Sequence, residues 1–277
     1  MISNSIKLKF SQLFRFLFPK KFWKRKLNYY RSHKSEIEMH LLPLLCCNNK
    51  ISLDIGGAHG SYTANLYDKS LKVITFEPIP ENINWINNMI KFTGINAIVQ
   101  KFALSDHSGN TILQMVDKSF GFSTIEKEND LSKHNTNLSS INVEIRKLDD
   151  LLLDNIGFIK IDVEGHELSV LNGGMRTITS YLPNMLIEIE ERHKKDSVIT
   201  CVQTLEKLGY SCYFVFNNKI FPFSEFNFDF HQKEENIINC LDFSIENKPI
   251  YINNFIFINP SSKDIFSQKC QSILDKI

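Results

Sequence analysis

The sequence predicts an α/β fold on a mostly parallel, Rossmann-like sheet, and three stretches predict it. Ile51-Ser52-Leu53-Asp54-Ile55 alternates apolar residues around an acid and then meets Gly56, Gly57 and Gly60. That is the pattern of a short strand turning tightly into a helix, here near Ser61. Twenty-three residues beyond Asp54, the run Lys72–Phe76 ends on a second acid, Glu77. A third run, Phe158–Ile161, delivers Asp162 and Glu164 and passes at once into helical spacing. Open parallel sheets bind ligands beyond the carboxyl ends of their strands, which is where these acids and glycines gather.

The glycine turn and the spaced acid together point to an adenosine-containing ligand. Glycines let a ligand approach the main chain, and an acid at the tip of the second strand can accept ribose hydroxyls. Nicotinamide dinucleotides want G-x-G-x-x-G, whereas this chain has D-x-G-x-x-x-G with Ala58 in the middle. Asp54 would repel a pyrophosphate but suits a cation. S-adenosylmethionine, which carries a sulfonium and an ammonium and no phosphate, fits better.

Composition sets the frame: 277 residues, 43% hydrophobic, 23% charged and a net charge of +1 suit one large α/β domain with an appendage. No apolar run reaches the roughly 18 residues of a membrane span, and no secretory signal pattern is evident. Six cysteines (46, 47, 201, 212, 240 and 270) form no C-x-x-C, so free or buried thiols in a cytoplasmic protein are expected. The neutral total hides an asymmetry, because residues 1–35 hold ten of the 32 basic residues and no acid. The remainder carries 22 basic against 31 acidic residues. Ile6, Phe10, Leu13, Phe14 and Leu17 share one face of a helix ending near Pro19, and a basic cluster around Phe22 and Trp23 follows. One reading is an interfacial helix on anionic lipid at the inner membrane face. The other is a helix docked on its own domain with a solvated charged rim. Nucleic-acid binding is disfavoured by the acidic remainder. The division expected is 1–35 as a basic amphipathic segment and 36–277 as the catalytic domain.

Further along, Glu36–Leu45 and Glu81–Thr93 have helical spacing, the second capped by Gly94. Ala97–Phe102 reads as a strand, and Thr111–Val116 with Val143–Lys147 as a strand pair enclosing a polar loop near 118–140. Met185–Glu190 is a strand and Val198–Leu208 a helix before Gly209. Cys212–Phe216 and Lys219–Phe223 flank Asn217-Asn218 as a hairpin. Phe255–Ile258 is a last strand and 262–277 a last helix.

Six segments in order carry a specific resemblance: LDIGGAHGSYT (53–63), ITFEPIPEN (74–82), ALSDHSG (103–109), VEIRKLDDLL (143–152), IKIDVEGHELSVLNGG (159–174) and LIEIEERH (186–193). Together they resemble the FkbM family of methyltransferases over roughly residues 50–200. The resemblance implies a class I methyltransferase fold, a seven-stranded mostly parallel sheet with an antiparallel seventh strand and helices on both faces. It implies S-adenosyl-L-methionine as cofactor, and O-methylation of a sugar hydroxyl in a glycolipid, surface polysaccharide or related glycan. The cofactor-binding set expected on the matching positions is Asp54, Gly56, Gly57, Gly60, Tyr62, Thr63, Glu77, Pro78, Ala103, Leu104 and Asp162. The family usually has Asn at the position of Ala58, so this turn lacks one amide.

Methyl transfer to an alcohol needs an aligned oxygen and a base to take its proton. His166 and His193 are the candidate bases, with Asp162 and Glu164 orienting them or holding the donor amine. Ser123 and Thr124 are candidates for the acceptor pocket. No metal is expected, although Asp162, Glu164, Glu188 and His193 are residue types that could hold one. Two rivals stand beside this reading. A nucleic-acid methyltransferase is opposed by Asp162-Val163-Glu164-Gly165 in place of the [DN]-P-P-[YFW] loop, and a non-catalytic glycan-binding protein could retain the fold.

Overall fold

The computed structural model describes residues 4–116, 123–126, 128–129, 131, 137–237 and 250–277, with side chains from residue 11 onward. The chain begins with two helices, α1 (Asn4–Leu17) and α2 (Pro19–Ser32). Pro19 opens α2, because its missing N–H costs nothing in a first turn. The helix expected over Glu36–Leu45 is instead a 3-10 turn, Ile37–His40, and a short α3, Leu42–Leu45. Pro43 cannot donate to a continuing helix, so it sits in the first turn of α3.

The main sheet then forms from β1 (Ile51–Ile55), β2 (Lys72–Phe76) and β3 (Ala97–Gln100), with α4 (Ser61–Leu66) and α5 (Pro80–Thr93) as crossovers. A second sheet of four strands comprises β4 (Ala103–Leu104), β5 (Gly109–Val116), β6 (Ser123–Thr124) and β7 (Leu138–Arg146). The expected strand pair is there in β5 and β7, and β7 begins at Leu138, inside the stretch read as loop. The main sheet resumes with β8 (Ile156–Ile161), helices α6 (Glu167–Gly173) and α7 (Met175–Tyr181), β9 (Asn184–Glu188) and α8 (Ser197–Glu206). It closes with β10 (Ser211–Phe216), β11 (Lys219–Pro222), α9 (Phe228–His231), β12 (Asn254–Ile258) and a last helix, Lys263–Leu274. Asn217 and Asn218 both take positive φ, the two-residue turn the hairpin needs.

Strand order in the main sheet is β11-β10-β12-β9-β8-β1-β2-β3. β3, β2, β1, β8 and β9 pair in parallel, and β12 runs antiparallel between β9 and β10. This is the seven-stranded class I arrangement with one added edge strand, β11. Apolar side chains pack on both faces. One core holds Leu53, Phe76, Ile159, Ile187 and Phe255. The other holds Val73, Phe158, Leu186 and Ile256 under the amino-terminal helices.

α2 belongs to that second core. Its Trp23, Leu27 and Tyr30 recur at helical spacing and are buried there with Ile86 and Met89 of α5. Trp23, 1% exposed, meets Trp85 edge-on with ring centroids 4.7 Å apart, and burying such a ring stabilises by about 2–3 kcal/mol. Asn65 Nδ2 of α4 donates to the Tyr30 carbonyl at 3.1 Å. Trp23 is therefore no interfacial anchor, and the docked reading describes α2. α1 differs, since Phe14 packs on Phe18 and Phe22 while Leu13, Phe16 and Leu17 stay exposed. Residues 1–35 thus divide between a helix built into the domain and one resting on it through Phe14 and through Arg15, whose guanidinium lies 5.6 Å from the Trp85 ring centre. The side chains of Ile6 and Phe10, and residues 117–122 and Cys240, lie outside the described set. The other five cysteines are free thiols.

Candidate active site

Two clefts open at the carboxyl ends of β1, β2 and β8. The first is lined by Gly56, Ala58, Phe76, Glu77, Pro78, Asn82, Ala103, Leu104, Thr124, Asp162, Glu164 and His166, among others. The second is lined by Tyr29 and Tyr30 of α2, by His33 just beyond its end and by Glu36, Asp54, Gly57, Tyr62, Lys160 and Asp162. Gly56, Ala58 and Asp162 border both.

Glu77 stands 3% exposed on the wall of the first cleft. Its Oε2 accepts the Ala58 N–H and its Oε1 the Ile79 N–H, both at 2.8 Å. Burial raises its pKa to about 7, against these hydrogen bonds. The Asn82 side chain also lowers it by hydrogen bonding to the same carboxylate, which keeps room for a further donor such as a ribose hydroxyl. Asn82 Oδ1, buried in the same wall, has no hydrogen-bond partner, and Phe76, Leu104 and Leu113 supply an apolar side. These features fit an adenosyl group. Pro78, Ala103 and Leu104 line the same cleft.

The glycines play a different part from the one their pattern suggests. A Cβ on Gly56 would lie 1.8 Å from the Asp162 carbonyl oxygen, and one on Gly57 2.2 Å from Thr75 Cγ2. The close approach is therefore between the chain and itself, and it lets the ends of β1 and β8 converge. Gly60 packs on Met89 and lines neither cleft. Thr63 is fully buried and also lines neither. It donates from Oγ1 to Asp54 Oδ2 at 2.6 Å, so it positions Asp54 rather than touching a ligand. Asp54 itself faces the second cleft, with burial raising its pKa to about 6.

A polar file crosses the sheet face beneath α2–α4. Asp54 lies opposite Lys160 in register, and Glu188 opposite Asn254. Lys160, 0% exposed, donates to Asn254 Oδ1 at 3.0 Å, lies 3.8 Å from Glu188 and sits 4.9 Å from the Tyr62 ring centre. Burial opposes its charge, yet Glu36, Asp162, Glu188 and Glu38 hold its pKa above the ordinary lysine value. Tyr62 donates its hydroxyl to Glu36, which also accepts from Asn254 at 3.1 Å. Burial raises the Asp162 pKa to about 6, with Lys160 pulling the other way. Burial and the charge of Asp162 push Glu164 and Glu188 well above the carboxylate range.

The two candidate histidines separate. His166 borders the first cleft with Nε2 2.9 Å from Ser105 Oγ and Nδ1 3.4 Å from Glu126, and burial lowers its pKa. His193, 3% exposed, lines neither cleft and places Nε2 3.1 Å from Glu164 Oε2. Its place is behind the Asp162–Gly165 turn, where it steadies Glu164. Glu190 lies past the end of β9, and although burial opposes its charge, the Arg192 guanidinium at 2.5 and 3.1 Å holds its pKa low. Thr124 Oγ1 and Asn129 Nδ2 donate to the Glu164 carbonyl at 2.7 and 2.8 Å. They fasten the loop over the turn, although Ser123 and Thr124 also border the cleft. Among the described residues no three His, Cys, Asp or Glu side chains converge to hold a metal ion.

Lys160, Glu36, Asn82 and the Tyr29–Tyr30–His33 wall were not anticipated. A lysine inside the apolar run of a central parallel strand was the available signal, because lysines are almost never fully buried without partners.

The Methyltransferase FkbM domain pattern matches residues 54–212, more than half of the chain. Methyltransferase 1 of Beauveria bassiana (strain ARSEF 2860) is 23% identical over 179 residues, covering 57% of this chain and 71% of that protein. Among solved structures, methyltransferase FkbM from Methylobacillus flagellatus KT aligns with a TM-score of 0.48 and 16% identity over 76% of this chain. The chain spans only 43% of that protein's length. A putative methyltransferase from Streptococcus mutans, solved with SAH, aligns with a TM-score of 0.44 and 11% identity over 81% of this chain and 97% of its own. With five of the six motif segments falling inside the matched region and the strand order of a class I enzyme around them, this chain belongs to the FkbM family of methyltransferases.

Proposed function

We propose that this methyltransferase moves a methyl group from S-adenosylmethionine to a hydroxyl oxygen of a sugar-containing acceptor. The reading rests chiefly on the meeting of two clefts at Asp162. The donor, when bound, supplies a sulfonium methyl and leaves as a neutral thioether. Glu77 and Asn82 hold the ribose, and Phe76, Leu104 and Leu113 enclose the base. Asp54 and Asp162 place negative charge where the sulfonium and ammonium belong.

The acceptor enters through the second cleft, where Tyr29, Tyr30 and His33 offer flat apolar faces beside the polar groups of Glu36 and Tyr62. That mixture suits a sugar ring, which has apolar C–H faces and a polar rim. Asp162 takes the hydroxyl proton as the oxygen bonds to carbon. With a pKa of about 6 it is ionised at neutral pH and still basic enough to accept a proton. Lys160 beneath it holds the carboxylate cluster together.

The test offers methyl-labelled donor and a panel of free sugars, glycolipids and polysaccharides to the purified protein. Label recovered as an O-methyl sugar after acid hydrolysis is the expected result. Label on nitrogen, or incorporated into added RNA in preference to every glycan, overturns the proposal.

A further inference from the structure

The outlying helix suggests where the enzyme works. On α1, Leu13 and Leu17 fall within one arc of roughly 40° on a 3.6-residue helix, beside Phe14, which packs on Phe18 and Phe22. Both are exposed, as are Phe16, to 82%, and Phe18, which packs on Phe14, to 55%. Four large apolar side chains exposed to water within residues 13–18 want a cover. The surrounding charge indicates which one. Lys20, Lys21 and Lys24 are exposed and have no acidic partner among the described residues. Residues 1–35 contain ten cations and no acid. A protein partner for such a face would need to be both apolar and strongly acidic, whereas an anionic bilayer offers both properties at once.

We propose that α1 and the first turns of α2 dock the protein on an anionic lipid surface. Leu13, Leu17 and Phe18 enter the acyl boundary, Lys20, Lys21 and Lys24 meet the headgroups, and Phe16 flanks the groove beneath α1. α2 then couples the surface to the catalytic domain, because the same helix carries Tyr29 and Tyr30 into the second cleft, with His33 just past its end. A groove lined by Phe16, Phe22, Trp85 and Phe92 leads from beneath α1 to Lys26, Tyr30 and His59, which also border that cleft. An acceptor held in the bilayer would have an aromatic path to Asp162.

The experiment sediments the full chain with vesicles of phosphatidylcholine alone and of phosphatidylcholine mixed with phosphatidylglycerol, at low and high salt. Binding to the mixed vesicles, weakened by salt, is expected, and each of Lys20→Ser, Lys21→Ser and Lys24→Ser should lower the partition coefficient about fivefold. The combined Leu13→Ser and Leu17→Ser protein should lose binding with an unchanged melting temperature, since both side chains are exposed. Equal binding to both vesicle types overturns the proposal, as does no binding at low salt. So do substituted proteins that bind like the original, or displacement from anionic vesicles by single-stranded RNA at lower concentration than by soluble phosphatidylglycerol headgroup.

Discussion

Ala58 donates its backbone N–H to Glu77 at 2.8 Å while held at a φ of +42°. The turn that presents one cleft wall is thus pinned in a left-handed conformation by the acid of the other. A Cβ in that region costs about 1–2 kcal/mol, and asparagine tolerates it better than alanine. This explains the asparagine usual in the family: its backbone preference serves the turn whatever its amide touches. Ala58→Gly should raise stability by about 0.5–1 kcal/mol after the extra freedom of the unfolded chain is subtracted. Urea unfolding measures it, and Ala58→Asn should move the same way.

Glu77 serves the turn and the ligand together. Glu77→Ala is expected to weaken binding of S-adenosylhomocysteine by about 1.5–3 kcal/mol, the range for hydrogen bonds to a charged group. It should also lower the melting temperature, because two buried amides lose their acceptor. Glu77→Gln must turn an N–H toward the Ala58 or Ile79 amide and should show both effects. Calorimetry with full affinity in either folded protein would remove Glu77 from the binding wall.

Asp162 and the histidines should respond differently. Asp162→Asn is expected to cut kcat by roughly 100-fold, the typical contribution of a positioned base, with little change in melting temperature. His193→Ala should cost stability and leave most of kcat, since its ring supports Glu164 from behind. His166→Asn separates a second possibility, because a loss matching that of Asp162→Asn would make it the base. Steady-state kinetics beside thermal melts distinguishes the three.

pH should report the buried acids. Asp54 and Asp162 have folded pKa values of about 6 and Glu77 about 7, all raised above their unfolded values by burial. The folded state therefore binds protons more tightly, and these groups withdraw stability as pH rises from about 4 to about 7. His40, His59, His166 and His231, with their pKa values lowered, act oppositely below about pH 6.5. Glu38, Glu164, Glu167 and Glu188, however, are raised as well and add to the first group. The ligand-free protein should melt at a lower temperature near pH 7.5 than near pH 5, and S-adenosylmethionine should narrow the gap by bringing cations to the carboxylates. Lys160→Met should widen it, because the cluster then loses its buried cation.

Much of this fold was legible. Strand ends at Ile55, Phe76 and Ile161 followed from apolar runs stopped by acids and glycines, and Gly94 and the Asn217-Asn218 turn announced themselves by their backbone needs. The parts that were not legible depend on distance along the chain. Trp23 beside basic residues looks the same whether its ring will meet lipid or Trp85, and only the placement of α5 decides. Thr63 sits in the motif yet points at Asp54, and His193 follows a strand end yet lies behind a turn. A motif gives the neighbourhood of each residue. Which way its side chain faces depends on packing that local spacing does not carry.

The edge-on pair of Trp23 and Trp85 has a practical consequence. The sequence contains two tryptophans, and both stand in the α2–α5 contact with their rings 4.7 Å apart. Near-ultraviolet emission from this protein is thus an optical readout of one contact. His59 stacks edge-on to Trp85 at 5.7 Å and also borders the second cleft. Burial and the neighbouring Lys26 hold the His59 pKa below the ordinary imidazole value. It is therefore the packing of a neutral ring on the indole that a molecule titrated into that cleft should disturb and turn into a change of brightness, while a change confined to the β5–β7 sheet stays dark.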